Sequence, residues 1–136
     1  MIEYRTGNDL DIDEVIAVYV ESTLADRRPV ADRGRMAGML REANLVLTAR
    51  DGERLVGISR AVSDFHYATY LSDLAVRLSH QKQGVGVELI RRTQLAAPQA
   101  SVILLSAPAA VEYYPRIGFT RHESAWVLRP GESLRE

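Results

Sequence analysis

Gln81, Gly84 and Gly86 stand in the pattern Gln-x-x-Gly-x-Gly, inside the stretch Asp73-Leu-Ala-Val-Arg-Leu-Ser-His-Gln-Lys-Gln-Gly-Val-Gly-Val-Glu-Leu-Ile90. The stretch reads as a strand, a polar turn and then an amphipathic helix. A glycine-rich turn that opens a helix leaves several backbone N–H groups unpaired at the positive end of the helix dipole. That geometry suits phosphate, and glycine lets oxygens approach the backbone with no Cβ in the way. Two nucleotide readings fail on named residues. A P-loop needs Gly-Lys-Ser/Thr, whereas Gly86 is followed by Val87 and Glu88. A dinucleotide fingerprint needs glycine or alanine at the position of Leu89, and it would open a βαβ unit rather than stand two-thirds along the chain. An ordinary strand-to-helix turn with two glycines remains the alternative.

Other chemistry is excluded by composition. The chain has 136 residues and no cysteine, so it has no disulfide framework, thiolate metal site or cysteine nucleophile. At roughly 100–200 residues per domain it is expected to form one domain over residues 1–136. Seventeen basic against eighteen acidic residues give a net charge of −1. Nucleic-acid binding would need a visible basic excess, and so would a polybasic membrane anchor. Met1-Ile2-Glu3-Tyr4-Arg5 reads straight into a strand rather than a signal peptide, and no apolar run approaches the ~18 residues of a membrane span. The expectation is a cytoplasmic protein.

The elements that must position the turn follow from periodicity. A first strand is expected over Ile2 to Arg5. Asp11, three residues before Glu14, signals a helix start, and Ile12, Val15, Ile16, Tyr19 and Val20 recur at helical spacing. A second helix is expected from about Pro29 to Leu40, weakened by Gly34 and Gly38. Asn44–Arg50 and Glu53–Val62 flank Asp51-Gly52, a hairpin signal. A loop over 63–68 leads to a strand over Thr69–Arg77, and the helix after the turn closes at Pro98. Ser101–Ser106 reads as a central strand covered on both faces. A short helix runs from Pro108 to Tyr114 and stops at Pro115, and Phe119–Arg121 with Ala125–Leu128 form a last hairpin. The order is that of a mixed α/β (α+β) domain.

With these elements in place the sequence resembles the GNAT superfamily of acetyl-CoA-dependent N-acetyltransferases. Val76 through Gly86 matches that family's strand-valine, Q/R-x-x-G-x-G/A turn and helix. Tyr114-Pro-Arg-Ile-Gly118-Phe119 matches its second signature, a short helix ending in tyrosine, then three residues, then Gly-Phe. The resemblance covers essentially the whole chain. It implies a central mixed, mostly antiparallel sheet with flanking helices, splayed between the strands at 69–77 and 101–106. Two departures stand out. The asparagine seven residues before the tyrosine is Ala107 here, with Ser106 beside it as a substitute, and the proline two residues after the valine is Leu78.

The resemblance also implies roles. Leu74, Ala75 and Val76 would hold the pantetheine arm, with the Leu74 N–H facing the thioester oxygen. Gln81, Lys82, Gln83, Gly84, Val85 and Gly86 would cradle the pyrophosphate. Arg91 or Arg92 would either approach the 3′-phosphate or stay solvated. Tyr114 is the general-acid candidate, against the alternative that Tyr113-Tyr114 is aromatic core. Asp73 is either the base, working through water, or a structural hydrogen-bonder at the strand, with Tyr70, Asp64 and His66 nearby. The acceptor pocket is expected around residues 19–26 and 63–70, where Glu21, Asp26, Asp64 and Asp73 favour a cationic amine. The expected reaction is direct transfer from acetyl-CoA to a primary amine, on a small molecule or a protein, with no metal. The alternative is a non-catalytic acyl-CoA-binding domain. Trp126 either packs in the core or meets a second subunit in a homodimer.

Overall fold

A computed structural model describes residues 1–136 as two compact units, Met1–Leu105 and Ser106–Glu136. The first unit runs β1 (Ile2–Thr6), α1 (Ile12–Glu21), α2 (Arg33–Glu42), β2 (Leu45–Asp51), β3 (Arg54–Ser63), β4 (Ala68–Val76), α3 (Val85–Ala96) and β5 (Ser101–Ile103). Its five strands lie in sequence order in a single mixed sheet. The pairs from β1 to β4 are antiparallel, and β5 joins β4 in parallel. Helices flank both faces of this α/β fold. No helix is long and apolar enough to cross a membrane.

Local signals account for most of the boundaries. The Asp11 carboxylate accepts from the Asp13 N–H and caps α1, while Glu14 turns away to pair with Arg50. Helix α2 starts at Arg33, four residues after Pro29, because Asp32 supplies the cap by accepting from the Arg35 N–H at 3.0 Å. Gly52 takes a φ of +61° in the β2–β3 turn, which is the conformation the Asp-Gly pair is suited to. Because successive strand residues face opposite sides, β3 divides its neighbours. Ile58, with Ala75 of β4, packs against Val15 and Val18 of α1 and Met36 and Leu40 of α2. Gly57 lies against Val85 and Leu89 of α3, and the buried Ser59 hydroxyl meets that of Thr93 at 2.8 Å.

Three expectations need correction. The strand expected over Ser101–Ser106 is regular only to Ile103 and stands at the sheet's edge, with Ser101 and Ile103 exposed. Its apolar run reflected an end strand paired on one side, not a strand covered on both faces. In the second unit the helix expected from Pro108 is broken into a 3-10 turn over Pro108–Ala110 and α4 (Tyr113–Arg116). Pro115 lies inside that first helical turn, where its missing N–H has no intrahelical acceptor to lose. The last hairpin does not form. Neither Phe119–Arg121 nor Ala125–Leu128 is in a strand, and Trp126 is 90% exposed rather than core.

Candidate active site

The functional stretch begins on β4. The Arg77 N–H donates to Val56 O at 2.8 Å, which sets the phase of the antiparallel ladder. Ala75, opposite Ile58, therefore exchanges hydrogen bonds with β3, while Leu74 and Val76 turn their N–H and C=O groups to the other edge. On that edge β5 pairs with β4 only from Ala68↔Ser101 to Tyr70↔Ile103. The main chain at Leu74 and Val76 thus has no strand partner. One of its groups is engaged by a side chain, since the Gln81 amide donates to Val76 O at 2.9 Å.

The end of β4 is fixed firmly. Arg77 is buried, donating from Nε to Leu55 O at 2.6 Å and from Nη1 to Glu21 Oε2 at 2.8 Å. A 3-10 turn over Leu78–His80 follows, and His80 Nε2 lies 2.9 Å from Asp51 Oδ2. Lys82 and Gly84 both take positive φ, +62° and +84°. Gly84 is the N-cap of α3 and no side chain caps that end. A Cβ at Gly84 would meet no atom within 4 Å, so the space above the first turn is open. The unpaired N–H groups at the start of α3 and the free edge of β4 therefore adjoin in one segment. No group of three or more metal-ligating side chains converges anywhere in the chain.

Asp73 is enclosed rather than free. Its side chain is wholly buried and accepts from the Tyr19 hydroxyl at 2.6 Å, Arg28 Nε at 2.6 Å, Arg60 Nε at 2.5 Å and the Ser72 hydroxyl at 3.1 Å. Burial pushes its carboxyl up, but the Arg60 guanidinium, then Tyr19 and Arg28, outweigh burial and hold it below the usual carboxylate range. Burial, with the Asp73 charge, raises the Tyr19 phenol far above its ordinary value. Of the two roles open to Asp73, this geometry matches the hydrogen-bonding anchor. Tyr19 stands in the segment expected to line the acceptor pocket, whereas the partnership of Arg28 and Arg60 with Asp73 was not revealed by the motifs. An arginine among the buried positions of Leu55–Ala61 was the available signal, because a buried charge needs a partner.

The remaining candidates are distributed as follows. Asp64 accepts from the N–H groups of His66, Tyr67 and Ala68, which bring its carboxyl down to about 2. His66 Nδ1 lies 2.9 Å from Asp64 O, and Tyr70 is 41% exposed. Glu21 is paired with Arg77 and Arg54. Arg91 and Arg92 both pair with Glu88, and Arg92 also lies 4.5 Å above the Tyr4 ring. A concavity of about 460 Å³ lies elsewhere, between Asn8–Ile12 and α2, where Asn8 caps the α2 carbonyls. Tyr114 belongs to the second unit. Gly118, at a φ of +113°, turns the chain so that the Phe119 N–H donates to Tyr114 O at 3.0 Å and the two rings stack edge-on at 5.4 Å. That turn is the physical content of the Tyr-x-x-x-Gly-Phe spacing. Burial, then neighbouring Tyr113, raises the Tyr114 phenol.

Residues 17–128 match the sequence model of the acetyltransferase (GNAT) domain family. The chain belongs to that family. It is 26% identical to a histone acetyltransferase, TAP1, of Glycine max, over 87% of this chain and 55% of that protein. It is also 26% identical to a probable acetyltransferase, TAP2, of Glycine max, over 87% of this chain and 51% of that protein. The chain thus spans about half the length of the curated relatives it matches. Its fold is similar to that of a probable acetyltransferase from methicillin-resistant Staphylococcus aureus, with a TM-score of 0.78, 19% identity and coverage of 95% and 99% of the two chains. It is likewise similar to AAC(6')-Iy in complex with a bisubstrate analogue, with a TM-score of 0.72, 14% identity and coverage of 95% and 97%. The GNAT sheet and helices are therefore those of an acetyltransferase family.

Proposed function

We propose that this GNAT domain, residues 1–136, transfers the acetyl group of acetyl-CoA directly to a primary amine. The observation that carries the reading is the unpartnered β4 edge at Leu74 and Val76, running into an uncapped, glycine-opened helix. Bound acetyl-CoA supplies an acetyl thioester, whose carbonyl carbon accepts the amine. The chain supplies the rest. The Leu74 N–H, rigid and oriented before charge develops, stabilises the developing oxyanion. With Val76 O held by Gln81, the Val76 N–H is the group left to meet a pantetheine carbonyl. The amides from Gln81 to Gly86, at the positive end of α3, hold the pyrophosphate. Tyr114, on the strength of its motif, delivers a proton to the departing thiolate.

The absence of cysteine supports direct attack over a cysteine acyl-enzyme. Asp73, with four donors on its carboxylate, is assigned to positioning β4, and the amine proton leaves through water. The same four donors favour a second reading, an acyl-CoA-binding domain without turnover. Release of free CoA thiol across a panel of amines separates the two. Acetyl-CoA should raise the melting temperature progressively with its concentration, by the equivalent of about 2.7 kcal/mol at 100 times Kd. Gly84→Ala and Gly84→Asp share the strain of a positive φ, but only the aspartate places negative charge beside the phosphates. The aspartate variant should lose the acetyl-CoA shift while the alanine variant keeps most of it. A full shift in folded Gly84→Asp protein removes the turn from the site.

A further inference from the structure

The charge around Asp73 does not balance. Arg28 and Arg60 both pair with this one carboxylate, and neither makes an ion pair with any other acid. Tyr19 donates its proton to Asp73 and contributes no charge. The cluster therefore carries a surplus of one positive charge. Three of the four acids expected to favour a cationic acceptor are already engaged: Glu21 by Arg77, Asp64 by backbone N–H groups, and Asp73 twice over. Asp26 makes no ion pair and Asp64 keeps its charge, so the surplus positive charge is local to the Arg28–Arg60–Asp73 cluster.

Arg28 is where the surplus meets solvent. Its side chain is 18% exposed, and it donates from Nε to Asp73, from Nη1 to Arg27 O and from Nη2 to Ser72 O. A guanidinium has five N–H groups, so two remain without a protein acceptor. Ser72 precedes Leu74 by two residues, about 7 Å along the strand. The pyrophosphate turn lies beyond the other end of β4, so an extended pantetheine arm runs back along the strand and leaves its thioester end facing the Ser72 side. An amine attacking there has Arg28 as its charged neighbour. In an α-amino acid the nitrogen and the carboxylate carbon are about 2.5 Å apart. A charge-assisted hydrogen bond adds about 2.8 Å, so the reach of such a ligand is of the same order as two strand residues.

The geometry points to Arg28 as an acceptor-specificity residue: the acceptor amine carries a carboxylate, as an α-amino acid does, and the spare Arg28 N–H groups hold it. This rests on the proposed acetyl transfer at Leu74. A polyamine would bring a second cation against the surplus charge and is disfavoured for that reason.

The decisive comparison needs no turnover. A panel of N-acetyl-L-amino acids, each against its own carboxamide, is titrated calorimetrically into the wild-type protein with and without CoA. The carboxylate form should bind about tenfold or more tightly, the range of a hydrogen bond to a charged group. Arg28→Gln should collapse that ratio toward one, and Arg28→Lys should retain part of it, with far-UV circular dichroism reporting folding. If Arg28→Gln does not fold, the wild-type ratio and the lysine variant carry the test. Equal binding of acid and amide across the panel, no binding of either, or a ratio undiminished in Arg28→Gln overturns the assignment. A protein that acetylates amines but shows no carboxylate preference refutes this inference alone. A protein whose melting point ignores acetyl-CoA refutes the proposed transfer, and the acid-to-amide ratio without CoA still reads Arg28.

Discussion

The Tyr19 hydroxyl donates to Asp73 Oδ2 at 2.6 Å across 54 residues of sequence, tying the buried face of α1 to the strand that carries the free edge. Asp73 is shared with Arg28 and Arg60, so it anchors α1, β3, β4 and the α1–α2 connection to one carboxylate. Asp73→Asn should lower stability by about 3–5 kcal/mol, because the buried Arg60 and the partly buried Arg28 lose their shared counter-charge. Tyr19→Phe removes one hydrogen bond to a charged acceptor and should cost less, about 1.5–3 kcal/mol. Urea unfolding of both variants checks the order. Equal losses would mean that the charge pair is not what holds the cluster together.

Stability should also fall in acid, with a sign that follows from the carboxyls. Asp73 and Asp64 are both held below the usual range in the folded chain, Asp64 at about 2. A depressed folded pKa contributes stability that is complete above the unfolded value, about 3.9 for aspartate, and is lost as pH falls through the folded value. The urea midpoint should therefore hold from neutral pH to about pH 5 and decline below about pH 4. In Asp73→Asn that decline should be shallower. A midpoint that improves on acidification contradicts the linkage.

Gly57 leaves little space between β3 and α3. A Cβ there would stand 3.1 Å from Leu89 Cδ1 and 3.2 Å from Val85 Cγ1. Gly57→Ala should cost about 1–3 kcal/mol through overpacking. Because Val85 opens α3, displacing it should also weaken the acetyl-CoA melting shift. Loss of stability with an unaltered shift would separate the packing of α3 from the binding of phosphate.

Tyr114→Phe deletes one hydroxyl and preserves the edge-on contact with Phe119. As a general acid Tyr114 acts in the transition state, so kcat should fall about 10²–10⁴-fold with little change in KM. A phenol serving only as packing predicts near-normal kcat and about 1 kcal/mol less stability. Steady-state thiol release with any working amine distinguishes them. A kcat within about threefold of the parent, with chemistry rate-limiting, removes the assignment.

Local chemistry made much of this protein legible from sequence. The Asp11 cap, the Asp51-Gly52 turn and the Gly84 cap each solve a backbone problem within a few residues, so the residue type announces the structure. Gly118 likewise closes the turn between Tyr114 and Phe119 by its positive φ. The family followed from two such local spacings. Pairing was another matter, because whether an apolar run is a central strand or an edge depends on distant neighbours. Ser101–Ser106 looked central and proved to be a short edge strand, and Ala125–Leu128 found no strand partner. The character of the Asp73 site was hidden for the same reason. Tyr19, Arg28, Arg60 and Asp73 come from four separate elements or connections, and the closest two in sequence are nine positions apart. Only the folded sheet brings two guanidiniums onto one carboxylate.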